Sequence, residues 1–172
     1  QPQIEKTQLR TQWWIVPRHP QRFDEVEQLL HATGNKILRK STLDKMSEPQ
    51  QAVALQTADI VLGDTMGEMF TYYAIADIVL MGGTWLPYGG QNFLEPMALG
   101  KQVWVGASIY NFEQIGMDAL HNRVLWQAKS PVEALVNIEQ AGQHTDSAQI
   151  HIQAYINEQC GAVKKLIEKL EM

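Results

Sequence analysis

Apolar residues along this chain gather into short runs, and amphipathic stretches separate the runs. Trp13-Trp14-Ile15-Val16 is such a run, closed by Pro17, and predicts a short buried strand. From Pro20 to Thr33, residues Phe23, Val26, Leu29 and Leu30 share one helical face, with Gly34 where a C-terminal cap belongs. Lys36 to Arg39 predicts a second strand, and the polar stretch Ser41 to Gln51 a mobile loop. Asp59 to Leu62 reads as a third strand ending at Gly63-Asp64, and Met66 to Ala76 as a helix with Met69, Phe70 and Tyr73 inward. Ile78 to Met81 and Gln102 to Val105 predict further strands, with a short helix, Phe93 to Leu99, between them and Gly100 after it. A helix over Phe112–Leu120, a strand over Val124–Trp126 and a helix over Pro131–Ala141 follow. The last helix runs from about Ala148 to Leu170, with Ile152, Ile156, Val163, Ile167 and Leu170 as its apolar stripe.

Strands alternating with helices imply an α/β fold, a parallel sheet covered by helices on both faces. Ligands of such sheets bind beyond the carboxyl ends of the strands. Three polar segments follow strands here: Arg18-His19, Asp64 to Glu68, and Gly82 to Glu95. The alternating pattern places all three at one edge of a single sheet.

Composition narrows the class. A chain of 172 residues suffices for one domain with its own core, and 45% hydrophobic with 19% charged residues fits a globular protein. A net charge of −5 argues against a general nucleic-acid binder, whose footprint is basic. The single cysteine, Cys160, excludes an internal disulfide and a cysteine-cluster zinc site. No apolar run approaches the roughly 20 residues that span a bilayer. Gln1 to Lys6 reads as the tail of a helix with no initiator Met, so residues 1–172 are expected to be a single domain cut from a longer protein.

Each candidate segment carries a ligand reading and a plain structural one. In Pro17-Arg18-His19-Pro20, prolines stiffen the turn and aim the Arg18 fork at a phosphate or carboxylate; alternatively Arg18 is simply solvated. His19 is a phosphate contact or proton carrier, or a structural histidine. In Gly63-Asp64-Thr65-Met66-Gly67-Glu68, backbone N–H groups at Gly67 and Glu68 face a ligand, or Asp64 or Thr65 caps a helix with Glu68 in its first turn. Gln91-Asn92-Phe93-Leu94-Glu95-Pro96 begins a helix where phosphate and sugar hydroxyls are readily held, but Asn92 and Glu95 also have capping-box spacing. The Gly82-Gly83 and Gly89-Gly90 pairs upstream point to something bulky close to the backbone. No histidine or acidic spacing suggests a metal site.

Val16-Pro17-Arg18-His19-Pro20 with Arg22-Phe23, then Gly63 to Glu68, Gly82-Gly83 to Glu95-Pro96, and Asn111-Phe112 resemble in order and spacing the 3-deoxy-D-manno-octulosonic acid (Kdo) transferase family of lipopolysaccharide biosynthesis. The resemblance covers about Trp13 to Leu125. It implies the carboxyl-terminal, Rossmann-like half of a GT-B glycosyltransferase, which binds the donor CMP-Kdo. An amino-terminal domain would bring the membrane anchor, the lipid A precursor site and the general base. That places the whole enzyme at the cytoplasmic face of the bacterial inner membrane, with this domain soluble. The resemblance further implies that this chain lacks its domain's first strand and a Gly-Ser-x-His-like loop, holds no catalytic residue and is inactive alone.

By family pattern Pro17 and Arg18 meet the CMP moiety, with His19 beside them, and Met66, Gly67 and Glu68 line the nucleotide pocket. Gln91, Asn92, Phe93, Leu94 and Glu95 form the phosphate and ribose side, with Glu95 accepting from hydroxyls. Gln91 stands where many relatives have His and Phe93 where many have Pro; Gln91 keeps hydrogen-bonding capacity without charge. Gly106-Ala107-Ser108 replaces a more usual Gly-Pro-His. No metal is expected, because Arg18 and a helix amino terminus answer the charge on departing CMP. The competing readings are a UDP-sugar enzyme on the same architecture, such as an epimerase, and a non-catalytic receiver-type module. The latter usually needs an acidic cluster at strand ends, where only Asp64 fits.

Overall fold

The computed structural model describes the backbone of residues 11–141 and 145–170, and the side chains of 11–140 and 147–159. The chain divides into two compact units, the first ending at Met69 and the second starting at Phe70. Each has its own three-stranded parallel sheet flanked by helices, so the strands read as one sheet from the sequence form two separate ladders.

The first unit contains β1 (Trp13–Ile15), α1 (Phe23–His31), β2 (Ile37–Arg39), α2 (Lys40–Leu43), α3 (Glu48–Thr57) and β3 (Ile60–Leu62). The sheet order is β1-β3-β2, with Val61 opposite Trp14 on one side and Leu38 on the other. The central strand is wholly apolar and buried, as expected of a strand with neighbours on both sides. β1 lies at the edge, so Trp13 is 38% exposed rather than buried as predicted. Pro20–Arg22 is a 3-10 turn and the α-helix starts only at Phe23; Leu29 leaves the expected apolar face and is 59% exposed. The predicted mobile loop is instead α2 and the start of α3. Ser47 opens α3 as its N-cap, and the Gln50 side chain accepts the Ser47 N–H at 2.9 Å, a capping box with Pro49 in the first turn.

Arg39, at the end of β2, ties that strand to α1. Its Nε and Nη2 donate to the two carboxylate oxygens of Glu27 at 2.9 and 2.7 Å, and Nη2 also reaches Asp24. The hydrogen bonds from Arg39 are the main reason the Glu27 carboxyl is held below its ordinary value. A depressed carboxyl stabilises the fold above its unfolded pKa of about 4.3 and loses that contribution as pH falls through the lower folded value. Arg39→Met is expected to cost about 0.5–1 kcal/mol at neutral pH, since the group is partly exposed. Urea unfolding should show that difference shrinking in acid, and a difference that persists at pH 2 would contradict the assignment.

The second unit contains α4, which spans Met69–Ile75 across the unit boundary, then β4 (Ile78–Leu80), α5 (Leu94–Ala98), β5 (Gln102–Val105), α6 (Glu113–His121), β6 (Trp126–Gln127), α7 (Pro131–Ala141) and α8 (Thr145–Leu170). The sheet order is β4-β5-β6. Its core joins Phe93, Met97, Val103, Val105, Ile109, Val124 and Leu125 to Ile152 and Tyr155 of α8. The Tyr155 hydroxyl donates to Asp118 Oδ2 at 2.7 Å, linking α8 to α6. A smaller cluster packs Trp104 with Ala128 and Ala134. Tyr72 and Tyr73 are buried, while Phe70, predicted inward, is 57% exposed. Val124 and Leu125 serve the core and not the ladder, which moves β6 one residue beyond its expected end. Of the stripe predicted on the last helix, Ile152 is buried and Ile156 packs on the core; the side chains of Val163, Ile167 and Leu170 lie outside the described residues.

Candidate functional site

In the first unit, β1 and β3 are parallel neighbours, so the segments leaving their carboxyl ends emerge at the same sheet edge. The Gly63 N–H donates to the Ile15 carbonyl at 2.9 Å and extends that pairing by one residue. Pro17, Arg18 and His19 leave one strand there; Met66, Gly67 and Glu68 follow the other. Arg18 is exposed, and its guanidinium has no partner among the described residues. Arg22 and Arg39, by contrast, are tied to carboxylates. His19 also presents an exposed side chain, while its carbonyl accepts the Arg22 N–H at 3.0 Å.

The turn after β3 is held from below. Asp64 does not cap a helix, as one sequence reading had it. Its carboxylate is nearly buried and accepts from the Ser41 N–H at 2.8 Å and the Ser41 hydroxyl at 2.6 Å, with Arg39 Nη1 3.6 Å away. Glu68 accepts the Thr65 hydroxyl and lies 3.6 Å from Lys40 Nζ. α4 begins only at Met69, so Met66 and Gly67 stand free of the helix expected to include them. Gly67 adopts φ +79° with no atom near its missing Cβ, which accounts for a glycine that helix propensity does not explain. Met66 is exposed.

In the second unit, Gln91 to Glu95 form a compact turn into α5. Asn92 Oδ1 accepts the Leu94 N–H at 3.1 Å, and its Nδ2 donates to Glu95 Oε1 at 3.1 Å. The capping geometry is therefore real, and it also fixes the carboxylate by one oxygen. Glu95 Oε2 has no partner among the described residues, and neither does the half-buried Gln91 side chain. Tyr73 is pushed up to about 12, first by burial and then by the Glu95 charge, so its hydroxyl stays protonated at neutral pH. Phe93 corrects the expected site. Its side chain is 1% exposed and packs edge-on to Phe112 at 5.5 Å between centroids, so it cannot line a ligand pocket.

The glycine pairs divide. A Cβ on Gly89 would lie 2.6 Å from the Tyr110 ring and 2.5 Å from Asn111 Nδ2, and one on Gly90 would lie 2.5 Å from Thr84 Cγ2. The bulky neighbours inferred from the sequence are therefore side chains of this chain. Gly82 has open space around it. Sequence reasoning missed Thr84, Ser108 and the Asp64–Ser41 contact, because each joins positions about 20 residues apart. The three expected segments do not share one sheet: two belong to the first and one to the second.

No protein-family model matches the chain. Over 164 residues, 91% of the chain, it is 31% identical to the 3-deoxy-D-manno-octulosonic acid transferase of Haemophilus influenzae. Over 106 residues it is 42% identical to the enzyme of the same name from Bordetella pertussis. Among solved structures it matches the C-terminal CMP-Kdo binding domain of WaaA from Acinetobacter baumannii with a TM-score of 0.70 and 29% identity, over 84% of this chain and 71% of that one. The chain belongs to the Kdo transferase family. It spans 36% of the length of the Haemophilus Kdo transferase and 23% of the Bordetella one. The α/β architecture expected from the sequence is that of the WaaA domain. Among the described residues, no helix is long and apolar enough to cross a membrane.

Proposed function

We propose that this chain binds the donor CMP-Kdo for transfer of Kdo to a lipid A precursor, as the donor half of a GT-B glycosyltransferase. The observation that carries the reading is the match to a CMP-Kdo binding domain over 84% of the chain. The local chemistry supports it. Glu95, oriented by Asn92 with one oxygen unpaired, suits the hydroxyls of a ribose. Arg18, an unpaired guanidinium, suits the CMP phosphate, which gains charge as the bond to Kdo breaks. Pro17 and His19 flank Arg18; Met66, Gly67 and Glu68 are proposed for the nucleotide, and Gln91 and the backbone of Phe93 and Leu94 for the phosphate side.

The reaction is proposed to need no divalent ion. The exposed Arg18 guanidinium is proposed to supply the positive charge in its place. The base that takes the acceptor proton is proposed to belong to an amino-terminal acceptor domain, at the cytoplasmic face of the bacterial inner membrane. Residues 1–172 are proposed to act as a single donor-binding domain despite their two sheets.

Calorimetric titration with CMP tests the site. Saturable binding is expected, weakened about tenfold or more by Arg18→Ala and by Glu95→Ala, as for loss of a charge-assisted hydrogen bond. Undiminished binding in both variants sinks the assignment. Tighter binding of UDP than of CMP redirects it to a UDP-sugar enzyme.

A further inference from the structure

Thr84 is a polar side chain with no exposure at all. Its hydroxyl donates to the carbonyl of Met81, the residue after β4, at 2.6 Å. The same oxygen accepts at 2.7 Å from the N–H of Gly106, the residue after β5. Its own carbonyl accepts the Ser108 N–H at 2.9 Å, and the Ser108 hydroxyl accepts the Gly89 N–H at 3.0 Å. Its methyl fills the space where Gly90 would carry a Cβ. One residue thus joins the carboxyl ends of two neighbouring strands to the glycine pair that leads into Gln91–Glu95. A hydroxyl has one proton to give, and here it is committed to a fixed acceptor, so the knot has a single arrangement.

We infer that Thr84 is a positioning residue for donor binding: it clasps the ends of β4 and β5 so that Gly89 to Glu95 is held in its binding conformation before the donor arrives. The inference rests on the donor reading above. Its physical basis is preorganisation: a loop already ordered loses less freedom on binding. The clasp touches no ligand and acts through Gly89, Gly90 and Ser108.

The test uses the 172-residue chain, with CMP as the probe and amide hydrogen exchange as a second readout. Thr84→Val keeps the shape and removes the hydroxyl. It is expected to weaken CMP binding about tenfold and to speed exchange at Gly106, whereas Thr84→Ser, which restores the hydroxyl, recovers affinity to within about twofold. Ser108→Ala, which leaves Thr84 in place, is expected to speed exchange at Gly89 and to weaken CMP by about threefold; it decides the matter if Thr84→Val does not fold. Faster exchange with unchanged CMP affinity overturns the positioning role. Unchanged exchange at Gly106 in Thr84→Val, or at Gly89 in Ser108→Ala, overturns the clasp. A wild-type chain that takes up no CMP overturns the donor reading and the positioning role with it, while the exchange data still report on the clasp.

Discussion

Phe93→Ala is expected to destabilise the second unit by about 3–5 kcal/mol, the range for truncating a fully buried aromatic. The ring is 1% exposed, meets Phe112 edge to face, and occupies the core with Met97, Val105 and Ile109. Its neighbours cannot collapse onto the vacancy without moving β5 and α6, because Gly116 already brings α6 into contact with the ring. Urea unfolding followed by tryptophan fluorescence reads the effect, since Trp85, Trp104 and Trp126 all lie in this unit. Phe93→Leu, which keeps most of the volume, should recover a large part of the loss. A shift below about 1 kcal/mol for the alanine variant, accompanied by lost CMP binding, would return Phe93 to the ligand surface where the sequence had placed it.

Gly106→Ala is expected to be as damaging for a different reason. The added carbon would lie 2.4 Å from the Thr84 carbonyl oxygen, 2.6 Å from the carbon bonded to it and 2.7 Å from the Trp85 nitrogen. All three are backbone atoms, so no rotamer change relieves the clash and β5 must separate from the loop. The cost should reach or exceed about 3 kcal/mol, the upper end for overpacking. Gly82→Ala is the internal control. No atom lies within 4 Å of its Cβ position, so the change should stay within about 0.5 kcal/mol. Equal unfolding midpoints for the two variants would refute the packing argument.

The sequence revealed most where a local rule decides the structure. α7 starts and ends where expected, because Ser130 caps it, accepting the Glu133 N–H at 3.1 Å, and Pro131 occupies the first helical position. The all-apolar triplet Ile60–Leu62 is equally plain as a central strand. The same kind of rule is present at Ser47-Glu48-Pro49-Gln50, but α3 has no apolar stripe and its polar start reads as loop. Long-range contacts were out of reach. The sequence pointed to something bulky close to Gly89 and Gly90, but not to Tyr110 and Thr84. Nor did it show that the strands divide between two ladders, because strand pairing depends on partners tens of residues away. At the candidate site, Asn92 and Glu95 were legible together as a cap, which the structure bears out; their grip on a ligand is the proposal. For Phe93 only the backbone stays among the proposed contacts, because a motif read as one block conceals a side chain that turns inward.

That inward turn bears on how such a site diversifies over evolutionary time. Phe93 anchors the backbone from the core side, and Asn92 secures the same turn through its own side chain, so positions 92 and 93 carry the conformation and Gln91 does not. A lineage can therefore exchange the group at Gln91 and retain the fold more readily than it can change Asn92. Drift at position 93 itself is confined to residues that fill the same hole.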